Sequence, residues 1–178
     1  MSDSALRLVL PTIELGEVRL RPWAIGDAPA LVLAWSDPTI TEHAEPPRDR
    51  SLSGAEHWID GTHERCRVGL ALDLAVAVTN DDRVVGEVGL SSIDRRRGAA
   101  LVGWWISASE RGAGLGTAAV AGFVDWVLTH TGLEVVVAEI GADNHASWHV
   151  AEACGFEVLR APEANQSGAL VRRDKNPD

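Results

Sequence analysis

From Glu17 to Pro22 charged and apolar side chains alternate, the period of a strand with one buried face. Asp27 is placed to cap a helix over about 28–36, with Pro29 in its first turn, and Asp37-Pro38 ends it. Residues 38–52 hold Glu42, His43, Glu45, Pro46, Pro47 and several arginines without periodicity, which predicts a loop. Ser53, with Glu56 at the capping-box spacing, predicts a second helix over about 54–67. The apolar runs 70–78 and 83–91 flank Thr79-Asn80-Asp81-Asp82 and predict a hairpin. Ile93–Gly98 makes another turn, with Arg95, Arg96 and Arg97 at its tip, and residues 99–107 the next strand. The three strands form an antiparallel meander.

Residues 115–131 are apolar on most faces, which predicts a buried helix closed by Gly132. Residues 134–140 form a continuous β-branched run suited to an interior strand. The segment 99–140 is therefore a βαβ unit on an antiparallel meander. Asn144 caps a short helix to about Cys154, Gly155 ends it, and 156–160 with 168–172 predict a final strand pair. Residues 1–14 read as a lead-in. With no repeat and no linker, 1–178 is one α+β domain with an ordered core of about 15–172.

Between the third meander strand and the buried helix lies Arg111-Gly112-Ala113-Gly114-Leu115-Gly116-Thr117. The glycines remove side chains where the backbone turns, so that amides can approach a ligand closely. First-turn N–H groups of the following helix lack internal partners and sit at its positive end. Strand, glycine turn and helix start together suit phosphate-type oxygens, although three glycines can also only close a tight turn. No Lys-Ser or Lys-Thr follows, which excludes a P-loop. The G-x-G-x-G spacing past mid-chain fits a Rossmann fingerprint poorly, although Glu139 keeps a dinucleotide in play.

Composition narrows the classes. The formal charge of −10, with Lys175 the only lysine, opposes nucleic-acid binding. No apolar run spans a bilayer and no basic-then-apolar leader begins the chain, so the expected location is cytoplasmic, with Cys66 and Cys154 free thiols and no metal. Seven tryptophans accompany no tyrosine, which removes one candidate proton donor.

Two motifs now stand in order. Arg111-x-x-Gly114-x-Gly116 matches the R/Q-x-x-G-x-G/A acetyl-CoA motif of the GNAT superfamily of N-acetyltransferases. Asn144-x-x-Ser147-x-x-Val150 followed by Gly155-Phe156 resembles the C-terminal signature of its RimJ/RimL-like branch, and Arg19–Trp23 leading into Asp27–Leu31 resembles that branch's start. The resemblance covers about residues 15–160. It implies a mostly antiparallel twisted sheet of about six to seven strands flanked by about four helices. The strands near 99–107 and 134–140 should splay around acetyl-CoA.

By the same resemblance, amides from Gly112, Ala113, Gly114, Leu115, Gly116 and Thr117, with Arg111 in the motif, hold the pyrophosphate. The pantetheine lies along Trp104, Trp105, Ile106 and Ser107. Asn144 caps its helix and turns its amide to the pantetheine. Ser147 lies near the sulfur as donor to the departing thiolate, or serves only the first turn of its helix. A neutral amine must attack the thioester, so a proton must first leave. Glu87 is the candidate base, with His145 and His149 behind it. The branch often carries a Glu two residues before its Gly-aromatic pair, where this chain has Leu101. Either the base has moved or the amine arrives neutral. Substrate contacts are expected from 38–50 and from Trp104 or Trp105. Cys154 reads as a core residue.

The resulting expectation is an N-acetyltransferase acting by direct attack of a protein N-terminal amine or a small-molecule amine, an antibiotic included. Dimers are common in the branch, so a homodimer is possible. A CoA-binding module without turnover is the alternative, and a dinucleotide-binding protein the weaker third.

Overall fold

In the computed structural model, which describes residues 8–44, 46–160 and 168–175, one eight-stranded sheet runs through the molecule. Its strands are β1 (Ile13–Leu15), β2 (Val18–Arg21), β3 (Leu72–Val78), β4 (Val84–Asp94), β5 (Ala99–Ile106), β6 (Val135–Gly141), β7 (Glu157–Arg160) and β8 (Gly168–Asp174), in the order β1-β2-β3-β4-β5-β6-β8-β7. The helices are α1 (Ala28–Ser36), α2 (Pro38–Thr41), α3 (Leu52–Arg67), α4 (Leu115–His130) and α5 (His145–Ala153), with single 3-10 turns at Ile25–Asp27 and Ala108–Glu110. The mixed α+β architecture is the expected one. The extra strand comes from the lead-in, where Ile13–Leu15 pairs antiparallel with β2.

Every described strand pair is antiparallel except β5 with β6, joined through α4 as the predicted βαβ unit. A sheet with one parallel pair is not a doubly wound dinucleotide fold, which removes the Rossmann alternative. Pairing of β5 with β6 stops at Leu101 opposite Val137. Beyond that rung the two strands part, and the fork opens toward Ile106 and Gly141.

The alternation read from the sequence buries two different faces. Leu74, Val76, Val88, Leu90 and Val102 pack with Phe123, Val124 and Val127 of α4, all fully or nearly fully buried. On the other face Ala75 meets α1 and α3 through Trp23, Leu31, Trp35, Ala55 and Ile59. Trp58 fits edge-on between Trp23 and Trp35, at centroid distances of 5.9 and 6.2 Å. This second face carries Glu87, because Glu87 pairs with Ala75 on one side and Trp105 on the other.

Three local readings are corrected. The cap of α3 is Ser51, whose hydroxyl accepts the Gly54 N–H at 3.1 Å; Ser53 and Glu56 lie inside the helix. Asp49 selects the earlier serine, taking the Ser51 N–H at 3.0 Å and its hydroxyl at 2.6 Å. The segment 38–52 is not all loop, because Asp37 caps α2 by accepting the Thr39 N–H at 2.9 Å; Glu45 lies outside the described residues. Asp27 precedes α1 as expected but makes no cap bond. It accepts the Ala24 N–H at 2.8 Å and grips Arg21 at 2.7 and 3.1 Å instead. With both side chains mostly buried, Asp27→Ala should cost about 1–3 kcal/mol by removing the carboxylate from Arg21 and from the Ala24 N–H, while Arg21 keeps Asp82, read as a lower urea midpoint at unchanged slope.

Candidate active site

The fork between β5 and β6 is a cleft of about 600 Å³. One wall is the glycine loop with the start of α4, another the end of β5, a third the first two turns of α5, and the last α2 with the residues after it. Arg111, Gly112, Gly114, Leu115, Gly116 and Thr117 all line it, as do Trp104, Trp105, Ile106, Asn144 and Ser147. Ser107 and Ala113 are not among the lining residues. The Ser107 backbone is committed within the protein, its N–H to the Val85 carbonyl at 2.8 Å and its carbonyl to the Glu110 N–H at 2.9 Å. Arg95, Arg96 and Arg97 are exposed and do not line the cleft; Asp94 accepts the Arg96 and Arg97 N–H groups and shapes a turn there.

The glycines have separate physical duties. Gly112 and Gly114 adopt φ of 83° and 79°, the left-handed region that glycine enters at little cost. Gly116 lies inside α4, where an added Cβ would stand 3.2 Å from Ile106 Cγ1 and 3.7 Å from Val150 Cγ2. It is a packing glycine that lets α4 approach β5 and α5, not a turn residue. Ladder bonding in α4 starts with the Ala118 N–H to the Gly114 carbonyl at 3.0 Å, and no side chain caps the helix. The N–H groups of Leu115, Gly116 and Thr117 precede that ladder on the cleft wall, where the helix dipole adds positive potential.

At α5, Asn144 Oδ1 accepts the Ser147 N–H at 3.1 Å, as its capping role predicts, which leaves the Asn144 amide nitrogen to the cleft. The reciprocal bond from Ser147 is not made. Among the described residues the Ser147 hydroxyl has no hydrogen-bond partner, so the helix start does not require it. Trp148 Nε1 donates to the Gly141 carbonyl at 3.0 Å and fixes α5 against the end of β6.

Glu87 does not line the cleft. It stands one strand behind Trp105, which does, and on the same sheet face as Leu101. Glu87 is partly exposed. Its carboxyl is raised to about 8, by burial first and by the charge of Asp73 second, with Arg65 acting in the opposite sense. Asp73 is itself raised by burial, while Arg65 donates to its Oδ2 at 3.3 and 3.1 Å. His145 and His149 line the cleft at α5. Thr39, Ile40, His43 and Ala44 line it as well, within the segment 38–50 from which substrate contacts are expected. A Cβ on Gly141 would stand 3.3 Å from His43 Cε1, so glycine at the end of β6 admits the ring. Only the folded chain brings residue 43 to residue 141, and no local pattern announces it.

Both cysteines are buried free thiols. Burial pushes Cys154 up to about 11, and its Sγ lies 3.6 Å from the Thr117 carbonyl, so it stays a protonated core residue. Burial also raises Cys66. Neither supplies a thiolate for a covalent intermediate.

Comparison with known proteins agrees with this geometry. Residues 17–157 match the family model described as an acetyltransferase (GNAT) domain. No curated protein sequence matches the chain significantly. Among solved structures, the ribosomal-protein-S5-alanine acetyltransferase of Vibrio fischeri aligns at a TM-score of 0.80 and 21% identity, over 93% of this chain and 97% of that one. RimJ of Mycobacterium smegmatis, in complex with CoA-disulfide, aligns at 0.77 and 24% identity over 93% and 86%. RimL, a ribosomal L7/L12 alpha-N-protein acetyltransferase in complex with coenzyme A, aligns at 0.80 and 19% identity over 94% and 100%. Among the described residues no helix is long and apolar enough to cross a membrane.

Proposed function

Because the chain belongs to the acetyltransferase (GNAT) domain family, we propose that its cleft takes acetyl-CoA and passes the acetyl group directly to a primary amine, in the manner of the RimJ/RimL-like branch. The observation that carries this is the cleft where β5 and β6 part: unladdered amides at the start of α4 and Ser147 at the start of α5 line the same cavity. Amides at Gly112–Thr117 take the diphosphate, since anionic oxygens are favoured at an uncapped helix N-terminus. Trp105 and Ile106 flank the pantetheine arm, and the Asn144 amide nitrogen donates to it.

Atoms balance in a single displacement. The amine nitrogen bonds to the thioester carbonyl carbon, the tetrahedral oxyanion collapses, and the C–S bond breaks. The sulfur leaves as thiolate, takes a hydrogen bond from the Ser147 hydroxyl, and is protonated by solvent on release. The amine's proton passes through water to Glu87, which is otherwise separated from the cleft by Trp105. Protonated thiols at Cys66 and Cys154 favour this direct route over an acyl-enzyme. A protein N-terminal amine is the preferred acceptor and a small-molecule amine the alternative. The first follows from the branch likeness, which the ribosomal-protein and RimJ names of the compared relatives support.

Thiol release from acetyl-CoA, followed with a panel of N-terminal peptides and small amines, tests the reading. Amine-dependent release is the expected result; binding of acetyl-CoA without release would favour a CoA-binding module that does not turn over. Ser147→Ala should lower kcat roughly tenfold, about one hydrogen bond to a charged sulfur, with acetyl-CoA affinity little changed. A variant at full rate would remove the donor role from Ser147.

A further inference from the structure

Arg111 carries more than the glycine loop. Its Nε donates to the Ile106 carbonyl at 2.9 Å, and its Nη2 reaches Asp37 Oδ2 at 3.1 Å. Asp37 uses its other oxygen, Oδ1, to take the Thr39 N–H at 2.9 Å and so begins α2. One guanidinium therefore joins the end of β5, the loop before α4 and the cap of α2, which lie 74 positions apart across the ion pair. Thr39, Ile40 and His43, positioned by α2, form the cleft wall beyond the glycine loop. The amides after Thr39 are all tied to this turn: Ile40 and Thr41 to the Asp37 carbonyl, Glu42 to that of Pro38, His43 and Ala44 to that of Ile40. A shift of Asp37 thus moves the whole wall.

We infer that Asp37 is a positioning residue through which Arg111 couples occupation of the glycine loop to the α2 wall of the cleft. The Arg111–Asp37 bond is already made, and a diphosphate that settles the loop fixes the Arg111 backbone, so that the guanidinium holds Asp37 and the wall meeting the acceptor more firmly. The two side chains keep 34% and 21% of their surface exposed, and ion pairs this exposed shift equilibria by only a few-fold. The link is accordingly a bias on the wall and not a lock. It rests on the reading of the cleft as a coenzyme A site.

Asp37→Asn separates the two duties, because asparagine caps a helix as well as aspartate and still accepts from Thr39, but it loses the charge that Arg111 holds. Hydrogen exchange of the amides 40–44 is the readout. In the free protein Asp37→Asn and Arg111→Gln should each speed that exchange about threefold, and the double variant no more than either. Saturating coenzyme A should slow exchange of 40–44 in the wild type by a similar factor. The slowing should be lost in Asp37→Asn, although its coenzyme A affinity stays within about twofold. Additive effects in the double variant, or equal protection by coenzyme A in Asp37→Asn and wild type, overturn the inference. A wild-type chain that binds no coenzyme A overturns the functional reading instead, and the free-protein arm still decides the link.

Discussion

Gly114→Val should weaken coenzyme A binding by roughly 100-fold, because losing two charge-assisted bonds from loop amides to the diphosphate is worth about 3 kcal/mol. The position combines two conditions. Gly114 holds φ at 79°, which a β-branched residue adopts only under strain. A Cβ there meets nothing within 4 Å of the protein, so the added atoms clash with no neighbour and occupy open space at a residue that lines the cleft. The fold should survive, since left-handed backbone costs about 1–2 kcal/mol at one residue and lowers the thermal midpoint of a domain this size by about 2–8 °C. Gly132→Val is the matched control, with φ of 81° and the same open surroundings, at the far end of α4. It should lose the same stability and none of the affinity. Calorimetry with coenzyme A reads both. Equal affinity in Gly114→Val and wild type would remove the proposed diphosphate cradle.

The sequence announced what local chemistry decides. Asn144 is read correctly as a cap because its oxygen and the Ser147 amide meet within one helical turn. The turn at Gly112–Gly114 is legible because left-handed backbone selects glycine at those points. Gly116 sits in the same motif for a reason that spacing cannot carry: the closeness of Ile106 and Val150, which are remote in the chain. The same limit applies at Asp27. Its position marks the helix start, but the long-range pull of Arg21 in β2 takes the carboxylate away from capping. Ser51 and Ser53 are both capping residues, and only the Asp49 side chain chooses between them. Periodicity also places the final two strands without ordering them; β8 inserts between β6 and β7, pairing along all of β6 on the edge away from β5. His43 falls inside the segment 38–50 expected to contact substrate, but spacing alone does not single it out within that segment. It belongs to the cleft only because Gly141 leaves room for its ring.

Glu87→Gln should lower kcat/KM by roughly 100-fold, the lower range for a general base, and change the shape of the pH profile. With its carboxyl raised to about 8, Glu87 is mostly protonated at neutral pH and becomes a base as pH rises. The attacking amine must also arrive neutral, its ammonium proton already lost to solvent, and ionised Glu87 takes the further proton that the nitrogen sheds as the C–N bond forms. Below about pH 7.5 two deprotonations are therefore required, and log kcat/KM of the wild type should climb with a slope near two. The Gln variant should keep the amine's limb alone, with a slope near one. Stability moves in step with the same proton. In the unfolded chain a glutamate ionises near pH 4.3, roughly its free value, whereas the folded protein holds the proton until about 8. The unfolded state then binds fewer protons between those limits, so the contribution of Glu87, full below the lower limit, is lost as pH rises through the upper one. Glutamine carries no such penalty. The thermal midpoint of Glu87→Gln should thus overtake that of the wild type as pH rises toward 8.5, with little difference near pH 4.5. A variant that gains stability in this way but keeps the wild-type slope would show that burial raises Glu87 without employing it. The proton would then leave by a group on the cleft wall itself, where His43, His145 and His149 stand. Gln substitutions at those three positions, scored by the same loss of one unit of slope, would identify which of them receives it.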